Sequence, residues 1–322
     1  MCGEMKISLA LLVAIVTSFL IHAQEISVSQ RFLQPGLSMI ALSGCQGITQ
    51  GSLLYRNQWT GIFNNPISYR LSADGYAERF RSGWGLSVLH NRMANGFQQV
   101  TGIHGTLAPR FSVGKGTLIT GVSYALQRHS IDWSQLVFGF PLPKMFPPFQ
   151  TGSIPINQAR HAHKALLAIG YVRGPWLVHV QSGYTNVPSF FNDQANGHLY
   201  DQEAYAAYQW SLTENVSIIP ALFIGHETWR VQGYEDDIYS DLAPTLNVRI
   251  HSFLIGTSYH WEDRLIGQLG YLFGERVLFS YSYDLGLSSL GNQTVVAHEI
   301  GLRIVFDQRN DADTLIQIPW LL

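Results

Sequence analysis

Charge is what this chain has least of. Lys, Arg, Asp and Glu make up 13% of its 322 residues, about half of the roughly 25% found in soluble domains. The charges nearly cancel, 20 basic against 22 acidic, so no basic face for nucleic acid is expected. Cysteine is almost missing: only Cys2 and Cys45 occur, which excludes a disulfide framework. Beyond residue 23 no apolar run approaches the ~18 residues that a spanning helix needs. Yet 46% of the chain is hydrophobic. Lipid admits only helices and closed barrels, because every backbone polar group must be paired internally. A low-charge chain without a long apolar run therefore has the barrel as its membrane option.

The first 23 residues read as a cleaved signal peptide. Lys6 is the positive start, Ile7 to Ile21 the apolar stretch, and Ala23 a small residue before the cut. Met5 is a better initiator than Met1, which would place Glu4 in the positive region. Cleavage removes Lys6 and Glu4 and leaves 19 basic and 21 acidic residues. Leu42-Ser43-Gly44-Cys45 looks like an acylation box, but Gln30, Arg31, Gln34 and Pro35 separate it from the apolar stretch. A free Cys45 near the barrel entrance is the expectation.

What the chain has in quantity is alternation. Leu265, Gly267, Leu269, Tyr271 and Phe273 form one row, and Ile266, Gln268, Gly270 and Leu272 the other. After Gly274-Glu275-Arg276, Val277, Phe279, Tyr281 and Tyr283 alternate with Leu278, Ser280, Ser282 and Asp284. Successive side chains of a strand point to opposite faces, so one face is apolar and aromatic and the other polar. The pattern recurs in Ile67 to Asp74, Trp176 to Tyr184 and Phe253 to Trp261. One such hairpin decides nothing; recurrence is the mark of a transmembrane β-barrel.

The expected fold is all-β, a closed antiparallel transmembrane β-barrel of about 14 strands. An irregular periplasmic entry segment (24–48) precedes the barrel (49–306), and a tail (307–322) follows it. The strands are expected at 49–60, 66–74, 83–90, 101–111, 117–128, 162–172, 176–184, 200–212, 216–226, 244–251, 253–261, 265–273, 277–284 and 296–306. With the first strand rising from the periplasm, the turns near 112–116, 173–175, 213–215, 252 and 274–276 are short and periplasmic, and 75–82 is moderate. The links 129–161, 185–199, 227–243 and 285–295 are long and external, with 262–264 the one short external link. Short periplasmic turns and long external loops are the bacterial pattern. Thr228 to Gln232 also fits a strand extension. The closing strand, Glu299-Ile300-Gly301-Leu302-Arg303-Ile304-Val305-Phe306, has the form of a terminal signal for outer-membrane assembly.

The longest link carries Pro141, Pro143, Pro147, Pro148 and Pro155 with Phe138, Phe140, Phe146 and Phe149. Proline cannot sit in a central strand, and clustered exposed aromatics mark contact sites. Two readings stand: the loop plugs its own lumen, or it binds a partner.

Chemistry is sparse. His161 and His163 share a strand face without a thiolate or carboxylate to complete a metal shell. His104, Ser123 and Asp132 are a nominal triad, but no Gly-x-Ser-x-Gly elbow accompanies them. No phosphate-binding loop occurs, so neither an enzyme nor a cofactor is expected. The inward charges Arg70, Asp74, Arg110, Arg249, Asp284, Glu299 and Arg303 mix both signs. That suits a rigidifying lumen network better than a selective pore lining.

Two motifs suggest a family. Tyr55-Arg56-Asn57-Gln58-Trp59 followed by Tyr69-Arg70-Leu71-Ser72-Ala73-Asp74 resembles the opening of the PorP/SprF family, outer-membrane proteins tied to the type IX secretion system of Bacteroidetes. Tyr281-Ser282-Tyr283-Asp284 with His298-Glu299-Ile300-Gly301-Leu302 resembles its end, and Tyr171 to Pro188 its middle strand pair. The resemblance implies a non-enzymatic outer-membrane barrel serving secretion and gliding. Its implied partners are type IX secretion components or a secreted protein held at the cell surface, besides outer-membrane lipid. Arg56 and Gln58 face inward between Tyr55, Asn57 and Trp59, so a seam network joining Arg56 or Arg70 to Glu299 or Asp284 is expected, with Arg303 nearby. The runner-up function is a channel or transporter for solutes or hydrophobic ligands.

Overall fold

The computed structural model describes residues 28–62, 64–135, 157–188, 197–231, 236–274, 276–287 and 295–307. Fifteen strand segments form one antiparallel sheet: β1 (Thr49–Thr60), β2 (Ile67–Ala77), β3 (Ser82–Met93), β4 (Gln98–Val113), β5 (Gly116–Ile131), β6 (Gln158–Arg173), β7 (Trp176–Val187), β8 (Gly197–Tyr208), β9 (Trp210–Thr213), β10 (Val216–Val231), β11 (Asp237–Ile250), β12 (Phe253–His260), β13 (Arg264–Phe273), β14 (Val277–Gly286) and β15 (Val296–Asp307). β8 and β9 both pair with β10 and are one wall strand interrupted at Gln209, so the wall has 14 strands. Pairing of β1 with β15 and of β10 with β11 closes it. Among the described residues no helix is long and apolar enough to cross a membrane.

The period-2 pattern sorts the side chains. Leu71, Val122, Leu167, Ile169 and Leu269 stand 49–62% exposed on the outer face. Ser52, Arg56, Gln181, Asn247, Ser282 and Glu299 are buried inside. Rings gather at both ends of the outer face, with Trp176 on Tyr208 and Phe253 on Tyr271 near the short turns, and Tyr55 on Tyr69 toward the other end. This is the girdled apolar band of a lipid-embedded wall. The two-residue turns at 114–115 and 174–175 use Gly114 and Gly174 at φ +60° and +53°, the left-handed backbone that tight hairpins require.

Several expectations change. β10 continues to Val231 and β11 starts at Asp237, so the supposed long link 227–243 shrinks to 232–236. β4, β5 and β6 each run 16 residues, against the 9–11 needed to cross lipid. They therefore rise beyond it and outrun the expected 101–111, 117–128 and 162–172. β2 reaches Ala77, which leaves only 78–81 as its turn. Besides 261–263, the links 61–66 and 94–97 at the same end are also short, so 262–264 is not the one short link there.

The largest change concerns the entry segment. Residues 28–48 do not lead up to the barrel from below; they pack inside the lumen toward the short turns. A short helix α1 (Pro35–Ser38) and a 3₁₀ turn (Ile40–Leu42) fold the segment against the inner wall. Phe32, Leu33, Met39, Ala41 and Leu42 are at most 3% exposed and join Ile119, Leu177, Ile219 and Leu278 in one apolar core. Burial of each Phe, Leu or Met side chain in this set contributes roughly 1.5–3 kcal/mol. Close approach needs bare backbone. Gly44 has φ +62°, and a Cβ there would overlap the Gly75 carbonyl. A Cβ at Gly121 would lie 2.9 Å from the Ala41 amide nitrogen.

Cys45 reports on this packing. Burial pushes its thiol up to about 12. The thiolate is the reactive form, so the buried thiol is a poor nucleophile. In a Cys2→Ser chain, maleimide is expected to label Cys45 slowly in the folded barrel and rapidly in urea. Equal rates would place the segment outside the lumen.

Candidate functional site: the seam network and its plug

Closing the barrel sets β15 beside β1 and places Arg56 directly opposite Glu299. Asp284 joins from β14, one strand further on. Arg56 donates through Nη2 to Asp284 Oδ2 at 2.8 Å and through Nη1 to Glu299 Oε2 at 3.3 Å. All three side chains are at most 4% exposed. A buried cation between two carboxylates gains from further partners for its remaining polar atoms, and the plug supplies several of them. Ser29 Oγ accepts from Arg56 at 2.5 Å and donates to Asp284 at 2.7 Å. Glu299 accepts the backbone N–H groups of Ser29 at 3.3 Å and Gln30 at 3.0 Å. Gln30 Nε2 donates to the Glu299 carbonyl, and its Oε1 accepts from Ser280.

A second anchor lies nearer the short turns. The Asp74 carboxylate accepts the Gly44 N–H at 2.8 Å and both its oxygens face Gln50 Nε2 at 3.1–3.2 Å. Arg110 donates to the Gly44 carbonyl and lies 4.1 Å over the Tyr76 ring. Arg303 is buried on the same inner face. Arg70, by contrast, reaches no carboxylate of the seam but donates to the Leu37 carbonyl at 2.9 Å. On the far wall Arg31 covers the Phe223 ring at 3.6 Å and meets Glu203 at 3.5 Å. Above the plug remains a cavity of about 180 Å³ whose lining includes Arg31, Lys164, Asp201, Glu203 and Glu227.

The motif residues thus divide. Arg56, Gln58, Arg70, Asp74, Asp284, Glu299 and Arg303 belong to the lumen. Tyr55 lies on the outer face against Tyr69, and His298 there meets Tyr281 Oη at 2.7 Å. Asn57 accepts from Asn65, and Trp59 sits at the bulge between Gln58 and Thr60 with φ +57°. Sequence reasoning missed Ser29, Gln30, Gln34 and Gly44, which carry the polar half of the plug. The one signal available was their density of glutamine and serine among apolar residues.

The nominal catalytic sets do not assemble. Asp132 is held at the long-loop end by Ser134 and Gln135. It lies nine positions along the chain from Ser123, roughly 30 Å in extended backbone. His163 faces outward and meets Tyr124 Oη at 2.5 Å. Among the described residues no three His, Cys, Asp or Glu side chains could share a metal. Phe138, Phe140, Phe146 and Phe149 lie outside the described residues, as do the signal segment and residues 308–322.

Fold and site define a class: a closed, plugged β-barrel of the outer-membrane type. The chain belongs to the PorP/SprF family, since the family profile described as type IX secretion system membrane protein PorP/SprF matches residues 23–304. Solved barrels show only distant likeness. The Acinetobacter baumannii outer membrane protein Omp33 is 11% identical with a TM-score of 0.46, over 82% of this chain and 100% of its own. The CymD monoaromatic hydrocarbon channel is 11% identical with a TM-score of 0.48, over 90% and 95%. CdiB from A. baumannii is 9% identical with a TM-score of 0.48, over 80% and 60%. No curated protein sequence matches significantly.

Proposed function

We propose that this barrel is an outer-membrane component of the type IX secretion and gliding system that binds its machinery or holds a secreted protein at the cell surface. The observation carrying this reading is the lumen: the chain's own residues 28–48 pack inside it, anchored at two charged sites. A filled lumen suits a scaffold better than a conduit. In this reading a signal peptide delivers the chain to the outer membrane, the short turns face the periplasm, and the long loops face outward. Wall side chains are committed to lipid or lumen, so recognition falls to the outer rim. The aromatic, proline-stiffened stretch from Phe138 to Phe149 is the proposed contact, because aromatic side chains anchor interfaces.

Replacing residues 138–149 by a short Gly/Ser linker is expected to leave a heat-modifiable, assembled barrel. Capture of the secreted partner should fall at least about tenfold, the equivalent of ~1.4 kcal/mol. Surface display of one secreted protein is the readout, with outer-membrane permeability as control. Unchanged display would move the search to residues 185–199, which hold Phe190 and Phe191.

A further inference from the structure

The outer face of β2 to β6 changes character abruptly at the long-loop end. Below the change it is apolar on β2 to β5, where Leu71, Val88, Ile103 and Leu126 are 41–60% exposed, and on β6 His163 ends that row. One step further toward the loops, a single cross-strand row runs Tyr69, His90, Thr101, Arg128 and His161 by direct pairing. Arg92 stands just beyond His90 on the same face, and Arg128, Arg92 and His161 are exposed.

Two observations give this row a ligand. First, among the described residues its charge is not answered by protein. The outward faces of β2 to β6 hold no Asp or Glu at all, since Asp74 points inward. The partners found are neutral: Arg92 donates to Asn95, His90 meets Thr101, and His163 meets Tyr124. Arg230, on the opposite wall, is by contrast paired with Asp236 at 2.9 Å. Second, the row's height is fixed by what lies beneath it. On β5 the outward side chains from Leu118 to Leu126 span nine positions before Arg128, the length of strand that crosses a bilayer's hydrocarbon. Arg128 therefore meets the membrane where hydrocarbon ends and headgroups begin. Tyr55, lying beside Tyr69, continues the row sideways, and with the Tyr69 and His90 rings makes an interfacial belt.

We propose that Arg92 and Arg128, with His90 and His161 between and beside them, form a docking site for phosphate-bearing lipid headgroups on the β3–β6 face of the barrel. The acyl chains of such a lipid lie along the apolar strip below, and the guanidinium groups, which stay charged at any accessible pH and bind phosphate bidentately, hold the headgroup. The site is independent of the lumen network and of the secretion reading.

The test uses the full mature chain in nanodiscs of equal phosphatidylglycerol and phosphatidylcholine, with spin-labelled lipids reporting relative association. The wild type is expected to prefer phosphatidylglycerol. R92Q and R128Q should each lower that preference roughly fivefold, the factor one arginine contributes near an anionic surface. R230Q, whose charge is already paired, should leave it unchanged. Heat-modifiability confirms that each variant is folded. Equal association of the two lipids, equal preference in R92Q/R128Q, or an equal loss in R230Q would overturn the site. Loss of the preference in millimolar inorganic phosphate would also overturn it, because the site would then take a small anion rather than a lipid.

Discussion

A mature chain beginning at Thr49, without the plug, is expected to conduct in planar bilayers where the full chain is silent. The expectation follows from strand number. Eight strands enclose a lumen just filled by side chains, whereas 16–18 leave an aqueous channel. Fourteen lies between, and here residues 28–48 fill the difference by packing Phe32, Leu33, Met39 and Leu42 against the wall. Their removal exposes Ile119, Leu177, Ile219 and Leu278 to the lumen, which costs stability but leaves the wall's hydrogen-bonded ladder intact. The truncated barrel should therefore still migrate as a heat-modifiable species. A synthetic peptide of residues 28–48 added to the periplasmic side should reduce the current again. A folded truncated barrel that remains silent would mean that something other than this segment closes the pore.

Arg56→Ala is expected to be the most damaging single substitution in the barrel. It leaves Asp284 and Glu299, both nearly fully buried, without their shared cation. Breaking a buried pair in this way costs about 3–5 kcal/mol, more than two orders of magnitude in the unfolding constant. Ser29 also loses its donor, so the plug is loosened at the same stroke and Cys45 should label faster. Neutralising the pair as well, in R56M/D284N/E299Q, should recover most of the loss because no unpaired charge remains. Urea unfolding of the refolded barrel measures both variants. A loss below about 1 kcal/mol in R56A would mean that the network is hydrated and of little structural consequence.

The wall was legible in the residues because a strand repeats every two positions. Leu71 cannot share a face with Arg70, nor Ile300 with Glu299, so a run of such pairs fixes which side meets lipid. The strand count, the turns at 114–115, 174–175 and 274–276, and the inward direction of Arg56, Asp74, Asp284 and Glu299 all follow from that local rule. Strand ends followed less well. Thr228 to Val231 and Asp237 to Ser240 lack an apolar outward row because they stand above the lipid, so the signal that marks a strand fades while the ladder continues.

The plug could not be read this way. Phe32, Leu33, Ile40 and Leu42 follow neither the strand nor the helix period, and nothing in their order says what they pack against. Their place was decided by closure of the barrel, which brings Arg56 to residues 228 and 243 positions away and encloses a space that some segment must fill. Alternation is a property of neighbours along the chain and survives in the sequence. The contents of the lumen depend on which distant surfaces the closed wall brings face to face, and only the tertiary structure decides that.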